Sequence, residues 1–435
     1  MISNPRFYSV AIILVSLLLV ITIFWGIDFP YMDQWEVVSL MEKLFINTLN
    51  FQDFTAQHNE HRILFPKLIM VLGASLTHWN ITLELYINIF LGICLFWVIS
   101  KPIEVLLKQA EIPYKFGLIS IISLLIFSLS QYENWRWGWQ IQIFLNVLMV
   151  CLGIYWLTKS AQSHWYFLGA IGAGIIATYS FANGLLFWGI GFIVLWNLSM
   201  KDTRKYAYFA IWATLAVYLA WSYMKGYHRP EEHPVPVFTL NYFLNYVAFV
   251  LAYLGNPLFE SDANASFIFG VVGVLIYGYG WYRIYTQKSF DKSQYSIFFY
   301  WSLYTLMSAG LTALGRTGLG LPSASASRYV TICNFFWINN FILLFTLLHD
   351  RFGHTARQKG YLKGLIWILS LVVLASHIVG ITMMYKYYKD MVEVRTQLVS
   401  SGQNLLILKK SYPRPHEIVE RDKILEKYQL SYRRK

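Results

Sequence analysis

Residues 8–25 read YSVAIILVSLLLVITIFW, with no charge among them, and lead directly into the polar segment Phe29-Pro-Tyr-Met-Asp-Gln-Trp-Glu36. An uncharged apolar run of that length matches a bilayer core of about 30 Å. Backbone amides cannot stay unpaired in hydrocarbon, so the run must be helical. The same signal recurs along the 435 residues, of which 57% are hydrophobic and only 13% charged, against about 25% charged in a typical soluble domain. The fold class that follows is all-α: a polytopic transmembrane helical bundle of about eleven spans. The spans are expected near 8–27, 83–100, 116–130, 140–157, 165–179, 184–199, 206–224, 265–284, 297–313, 329–348 and 361–384. Arg6 precedes the first run and no small-x-small cleavage pattern follows it, so this segment reads as an uncleaved signal anchor.

Short loops carrying Lys101/Lys108/Lys115, Lys159, Lys201/Arg204/Lys205, Arg283/Lys288/Lys292 and Arg351/Arg357/Lys359 alternate with loops that hold most other polar motifs. By the positive-inside rule the basic loops are cytoplasmic. The N-terminus is then inside, while 28–82, 131–139, 180–183, 225–264, 314–328 and the tail 385–435 are outside. Residues 64–76 and 238–254 are apolar but keep this parity only as interfacial or re-entrant helices. The organisation is therefore a transmembrane module over 1–384, with 28–82 as a helical first outer loop and 225–264 as a second, followed by a basic outer tail. The net charge of +12 does not point to nucleic acid: residues 386–435 hold 12 Lys/Arg against 6 Asp/Glu, half the excess, and much of the rest lies in connecting loops. Cys94, Cys151 and Cys333 all sit in apolar runs and read as buried thiols rather than a disulfide framework.

Chemistry concentrates in the outer loops. Asp33 and Glu36 lie three apart, on one face if Met32 onward is helical. Phe29, Pro30, Tyr31 and Trp35 crowd Asp33 and limit water access, which suits a general base. His58-Asn59-Glu60-His61-Arg62 is the densest polar cluster. On a helix His58, His61 and Arg62 would share a face; Arg62 could fork onto phosphate and the histidines donate to it or to a sugar. The histidines leave a divalent cation open as a cofactor, though their spacing is not that of the familiar zinc helix. Glu60 is the reserve candidate for the catalytic base. Tyr132-Glu-Asn-Trp-Arg-Trp-Gly-Trp-Gln140 places Glu133, Asn134, Arg136 and Gln140 beside tryptophan faces, Trp137 among them, as sugar-binding surfaces do. Asn183 sits in the tight turn Ser180-Phe-Ala-Asn-Gly184, which the turn alone can explain. Arg316, Arg328 and Tyr329 belong to a glycine- and serine-rich loop whose arginines could neutralise a phosphate; Arg328 is outside against the topology rule and so calls for a partner.

Taken together, Met32-Asp33-Gln34 in a loop just after the first span, and the span-loop plan, resemble the GT-C superfamily of membrane glycosyltransferases. The chain is also similar in organisation to bacterial O-antigen-modifying glucosyltransferases, and Ser327-Arg328-Tyr329 resembles an element of bacterial inner-membrane proteins. In the mannosyl- and aminoarabinosyl-transferase branches the acidic residue starts an Asp-Glu pair; Gln34 replaces the second acid here. The resemblance implies a periplasmic site in the bacterial inner membrane, a polyprenyl-phosphate sugar as donor, a glycan or lipid-linked acceptor, and Asp33 as the essential acid. An O-antigen polymerase or ligase is the alternative, although its large polar loop usually comes late. A lipid-linked glycan transporter would need two related halves and polar residues at mid-bilayer depth, and neither is evident.

Overall fold

A computed structural model describes residues 8–109, 115–230, 234–235, 239–259, 262–352, 356–400 and 404–434. Arg6, Lys435 and the side chains of Arg357 and Lys359 lie outside what is described. Among the described residues there is no strand, only an isolated bridge between His58 and His61. Among the described residues eight helical stretches are long and apolar enough to cross a membrane: Ile81–Lys108, Lys115–Arg136, Gly138–Thr158, Asp202–Met224, Ala263–Thr286, Lys292–Leu319, Ser327–Arg351 and Lys363–Val399. The other three expected spans fall on shorter apolar helices, Ser9–Trp25, His164–Thr178 and Ala182–Asn197. The eleven expected spans thus fall on eight long helices and three short ones. Local sequence sets the shortness. Gly26 turns extended after Trp25, Ser163 caps His164–Thr178 at its start, and Asn183-Gly184 spends a turn in 3₁₀ geometry. At 1.5 Å per residue, fifteen residues reach only about 22 Å.

Loops segregate to two ends of the bundle. At one end Phe65 N donates to Tyr179 O at 3.2 Å, Met32 N to Ser411 O at 2.7 Å, and Arg62 Nε to Tyr223 O at 2.8 Å. Lys101, Lys159, Tyr285 and Lys292 gather around a cavity of about 960 Å³ at the other. This is the grouping that the alternation of basic loops anticipates. Cysteines placed at Gln52 and Glu426 should therefore be labelled by an impermeant thiol reagent from one side of the membrane, and one at Thr203 only from the other. Labelling of 52 and 426 from opposite sides would break the arrangement.

Residues 64–76 and 238–254 form the helices Leu64–Thr77 and Leu240–Gly255. The first exposes Leu68, Leu72 and Leu76 along one face and buries Met70, Val71 and Ala74 on the other, the amphipathic split of a helix lying at a boundary. The second stays near the polar end, where Tyr246 Oη donates to Gly310 O and the Asn256 amide to Ala326 O.

The C-terminal region departs most from expectation. The helix Ala356–Val399 runs for 44 residues, about 66 Å, far past the expected end at 384. No glycine or proline occurs between Tyr385 and Val399 to stop it. Beyond it, Leu405–Leu408 and Pro415–Tyr428 fold back onto the first loop. There Trp35, Val38 and Met41 form the buried stripe of Gln34–Phe45, and Ile418 and Leu425 that of Pro415–Tyr428. The expected basic outer tail is a strap over the first loop, and the boundary at 384/385 divides one continuous helix.

Candidate functional site

A cavity of about 570 Å³ opens at the polar end, lined by residues from the first loop, both later clusters and the strap. Four carboxylates face it. Three have an arginine partner: Glu60 Oε1 lies 2.6 Å from Arg316 Nη2, Glu36 Oε1 2.8 Å from Arg414 Nη2, and Glu133 Oε1 3.3 Å from Arg328 Nη1. Asp33 is different. Among the described residues its close side-chain contact is with His58, whose Nε2 is 3.5 Å from Oδ2, and Arg328 acts on it only through the field across the cavity.

Backbone geometry explains how Asp33 comes to be there. Met32 adopts φ +46°, which a non-glycine residue rarely does, and its N–H is held by Ser411 O of the strap. The chain then enters Gln34–Phe45 with Asp33 at the N-cap, yet the Asp33 side chain makes no capping bond. Gln34 turns the other way. It is buried and donates to Glu84 Oε2 at 2.6 Å, while Trp79 Nε1 donates to Glu84 Oε1 at 2.9 Å. A second acid at 34 would meet the Glu84 carboxylate in a buried contact, which gives the Asp-Gln pair a physical reason.

The expected helix through 58–62 is replaced by a tight turn. Asn59 sits at φ +49°, and His58 and His61 exchange backbone hydrogen bonds of 2.8 Å. The two imidazoles therefore do not share a helical face. His58 lies between Asp33 and Glu36, with Nδ1 3.4 Å from Glu36 Oε2, and its ring packs against Trp139. Among the described residues no three His, Cys, Asp or Glu side chains are arranged to hold a metal. His61 accepts from Ala182 N at Nδ1 and turns Nε2 towards Glu60. Arg62 lies outside the cavity: its guanidinium is committed to the carbonyls of Tyr223, Thr55 and Lys225. The expected phosphate fork at Arg62 is corrected to a clamp joining the first loop to 223–225.

Burial holds the His61 imidazole down to a pKa of about 4, with Glu60 only partly opposing it. Burial alone would raise the Glu60 carboxyl, but the positive charges of a protonated His61 and of Arg316 outweigh it and hold it at about 2. At neutral pH His61 is uncharged, so Arg316 keeps Glu60 ionised. A depressed histidine contributes stability that is complete above its ordinary 6.5 and is lost as pH falls towards about 4. Thermal unfolding in detergent should therefore weaken across that window, and His61→Gln should flatten the decline. A His61→Gln profile parallel to wild type would assign the decline to other groups.

The second and third clusters meet across the cavity. Glu133 accepts from Ser327 Oγ at 2.8 Å and Arg328 N at 3.0 Å, besides its ion pair, and the Asn134 amide donates to Arg328 O at 3.0 Å. Asn134 thus supports Arg328 from below, buried and off the cavity wall. Arg136 is also displaced from its expected role: it is buried against the Tyr387 ring, 5.4 Å away, and does not line the cavity. Asn59, Trp137, Gln140 and Tyr329 do line it. Trp137 Nε1, Gln140 Oε1 and Gln142 Oε1 are buried there without a hydrogen-bond partner among the described residues, which a ligand rich in hydroxyls would supply.

A second cavity of about 520 Å³ adjoins the first and shares Glu60, His61, Phe181, Arg316 and Tyr329 with it. Its remaining walls are largely apolar, from Leu185, Leu186, Met224, Leu311 and Leu314, and Asn183 lies here instead of in the polar chamber. Sequence reading assigned no site role to Phe181, Tyr412 or Arg414, and took Tyr31 only as a neighbour of Asp33. A signal was present for Gln142, a polar residue continuing into a span, but Tyr412 and Arg414 reach the site only through the strap. Comparison of the chain with models of protein families, with curated proteins and with solved structures finds no match.

Proposed function

We propose that the protein is a membrane glycosyltransferase of GT-C type. It moves a sugar from a polyprenyl-phosphate donor to a hydroxyl of a glycan or lipid-linked acceptor at the periplasmic face of the bacterial inner membrane. The observation that carries the reading is Asp33: in a cavity where every glutamate has an arginine partner, this one carboxylate remains available to take a proton. The acceptor O–H gives its proton to Asp33 as its oxygen bonds to the sugar's anomeric carbon. The bond from that carbon to the phosphate oxygen breaks, and the electron pair leaves with polyprenyl phosphate. Arg328 and Arg316 would offset the leaving group's charge, and the apolar cavity beside Arg316 suits the donor's hydrocarbon chain. Trp137, Gln140 and Gln142 suit the sugar, an aromatic face with unpaired polar atoms around it.

Mass spectra of surface glycans from cells with and without the gene test this directly. A difference of one sugar residue is expected, and identical spectra would overturn the assignment.

A further inference from the structure

We infer that Arg414 selects the acceptor, and that the acceptor carries an anionic group, phosphate or carboxylate, near the hydroxyl that receives the sugar. This rests on the glycosyltransferase reading. The polar chamber has two sides. Glu60, His61, Phe181, Arg316 and Tyr329 border the apolar cavity, whereas Glu36, Tyr412 and Arg414 do not. A donor whose chain occupies the apolar cavity leaves the strap side for the acceptor.

Arg414 is the exchangeable cation of the three. Its side chain is 56% exposed, against 22% for Arg316 and 30% for Arg328. Its ion pairs with Glu36 at 2.8 Å and Glu417 at 3.0 Å lie at the water-facing edge, where such pairs are weak and readily replaced. The strap beneath it is fixed. Ser411 O accepts from Met32 N, Tyr412 Oη donates to Glu36 Oε1 at 2.7 Å, and the Tyr412 ring lies 5.1 Å from the Arg414 guanidinium and 5.2 Å from that of Arg421. Only the Arg414 side chain has to move. Its planar fork matches phosphate or carboxylate, so Glu36 occupies the place of the ligand's anion until an acceptor displaces it.

Binding of glucose 6-phosphate, glucuronate and glucose to the purified full-length protein, followed by tryptophan fluorescence, tests the inference. The better of the two anionic sugars should bind about tenfold tighter than glucose, the gain expected of a charge-assisted fork. Arg414→Gln should erase that preference. Glu36→Gln should tighten anionic binding by freeing the arginine, and should do nothing once Arg414 is already glutamine. Mere damage to the site would weaken binding in both variants. Equal binding of charged and neutral sugars, or loss on Glu36→Gln, overturns the inference while leaving the transferase reading intact. Failure of all three sugars to bind also overturns the inference, and the transferase reading then stands or falls on the glycan spectra.

Discussion

Asp33→Asn should lower sugar transfer by about 10²–10⁴-fold, the contribution of a positioned general base, while leaving the protein folded. Asparagine keeps the shape of the side chain and removes its basicity. Because the native carboxylate makes no capping bond to Gln34–Phe45, the helix should survive the change. Donor binding should survive as well, since the arginines are untouched. Glu60→Gln is the informative comparison: Glu60 is held ionised in its 2.6 Å ion pair with Arg316, and a carboxylate so engaged is poorly matched to deprotonating a hydroxyl. Its loss should cost stability through the broken ion pair more than it costs the chemical step. The measurement is transfer of radiolabelled sugar from a purified polyprenyl-phosphate donor by the two variants side by side. Near-wild-type turnover in Asp33→Asn would move the base elsewhere and remove the main support for the assignment.

The second large effect is expected at Arg328. Its backbone is fixed by Glu133 and Asn134, so the guanidinium is presented at the wall of the cavity from an immobile base. Arg328→Lys keeps the charge but loses the fork. Losing one hydrogen bond to a charged group costs about 1.5–3 kcal/mol, which corresponds to roughly a 10–100-fold rise in the donor's KM. Unchanged KM and kcat in Arg328→Lys would remove Arg328 from donor recognition. Arg62→Lys should act differently, since Arg62 bonds three backbone carbonyls; it should lower thermal stability first.

The long apolar helices were legible because hydrocarbon imposes one solution on a run of uncharged residues. Helix ends were not. Tyr385, Tyr387 and Tyr388 look like the aromatic edge of a span, yet the helix continues through them because Tyr387 packs beneath Arg136. The acids and arginines of the site were also legible by residue type. Their pairing was not, because Glu60–Arg316 and Glu133–Arg328 join positions 256 and 195 apart, and periodicity carries no information over such distances. The 58–61 turn was not legible because its one decisive residue, Asn59 in a left-handed conformation, leaves no pattern in its neighbours.

The strap has a consequence for the order of assembly. Arg434 Nη2 lies 2.5 Å from Asp28 Oδ2, across 406 positions. At synthesis rates of about 5–20 residues per second, the first loop waits roughly 20–80 s before its partner exists. During that interval Asp28 and Glu36 lack their arginines and Met32 lacks the carbonyl of Ser411. The nascent chain would insert its helices with the chamber still open on one side. Closure is then a late docking step between the two far ends of the described chain, and a ribosome stalled short of the strap would leave a membrane-embedded protein without a finished site.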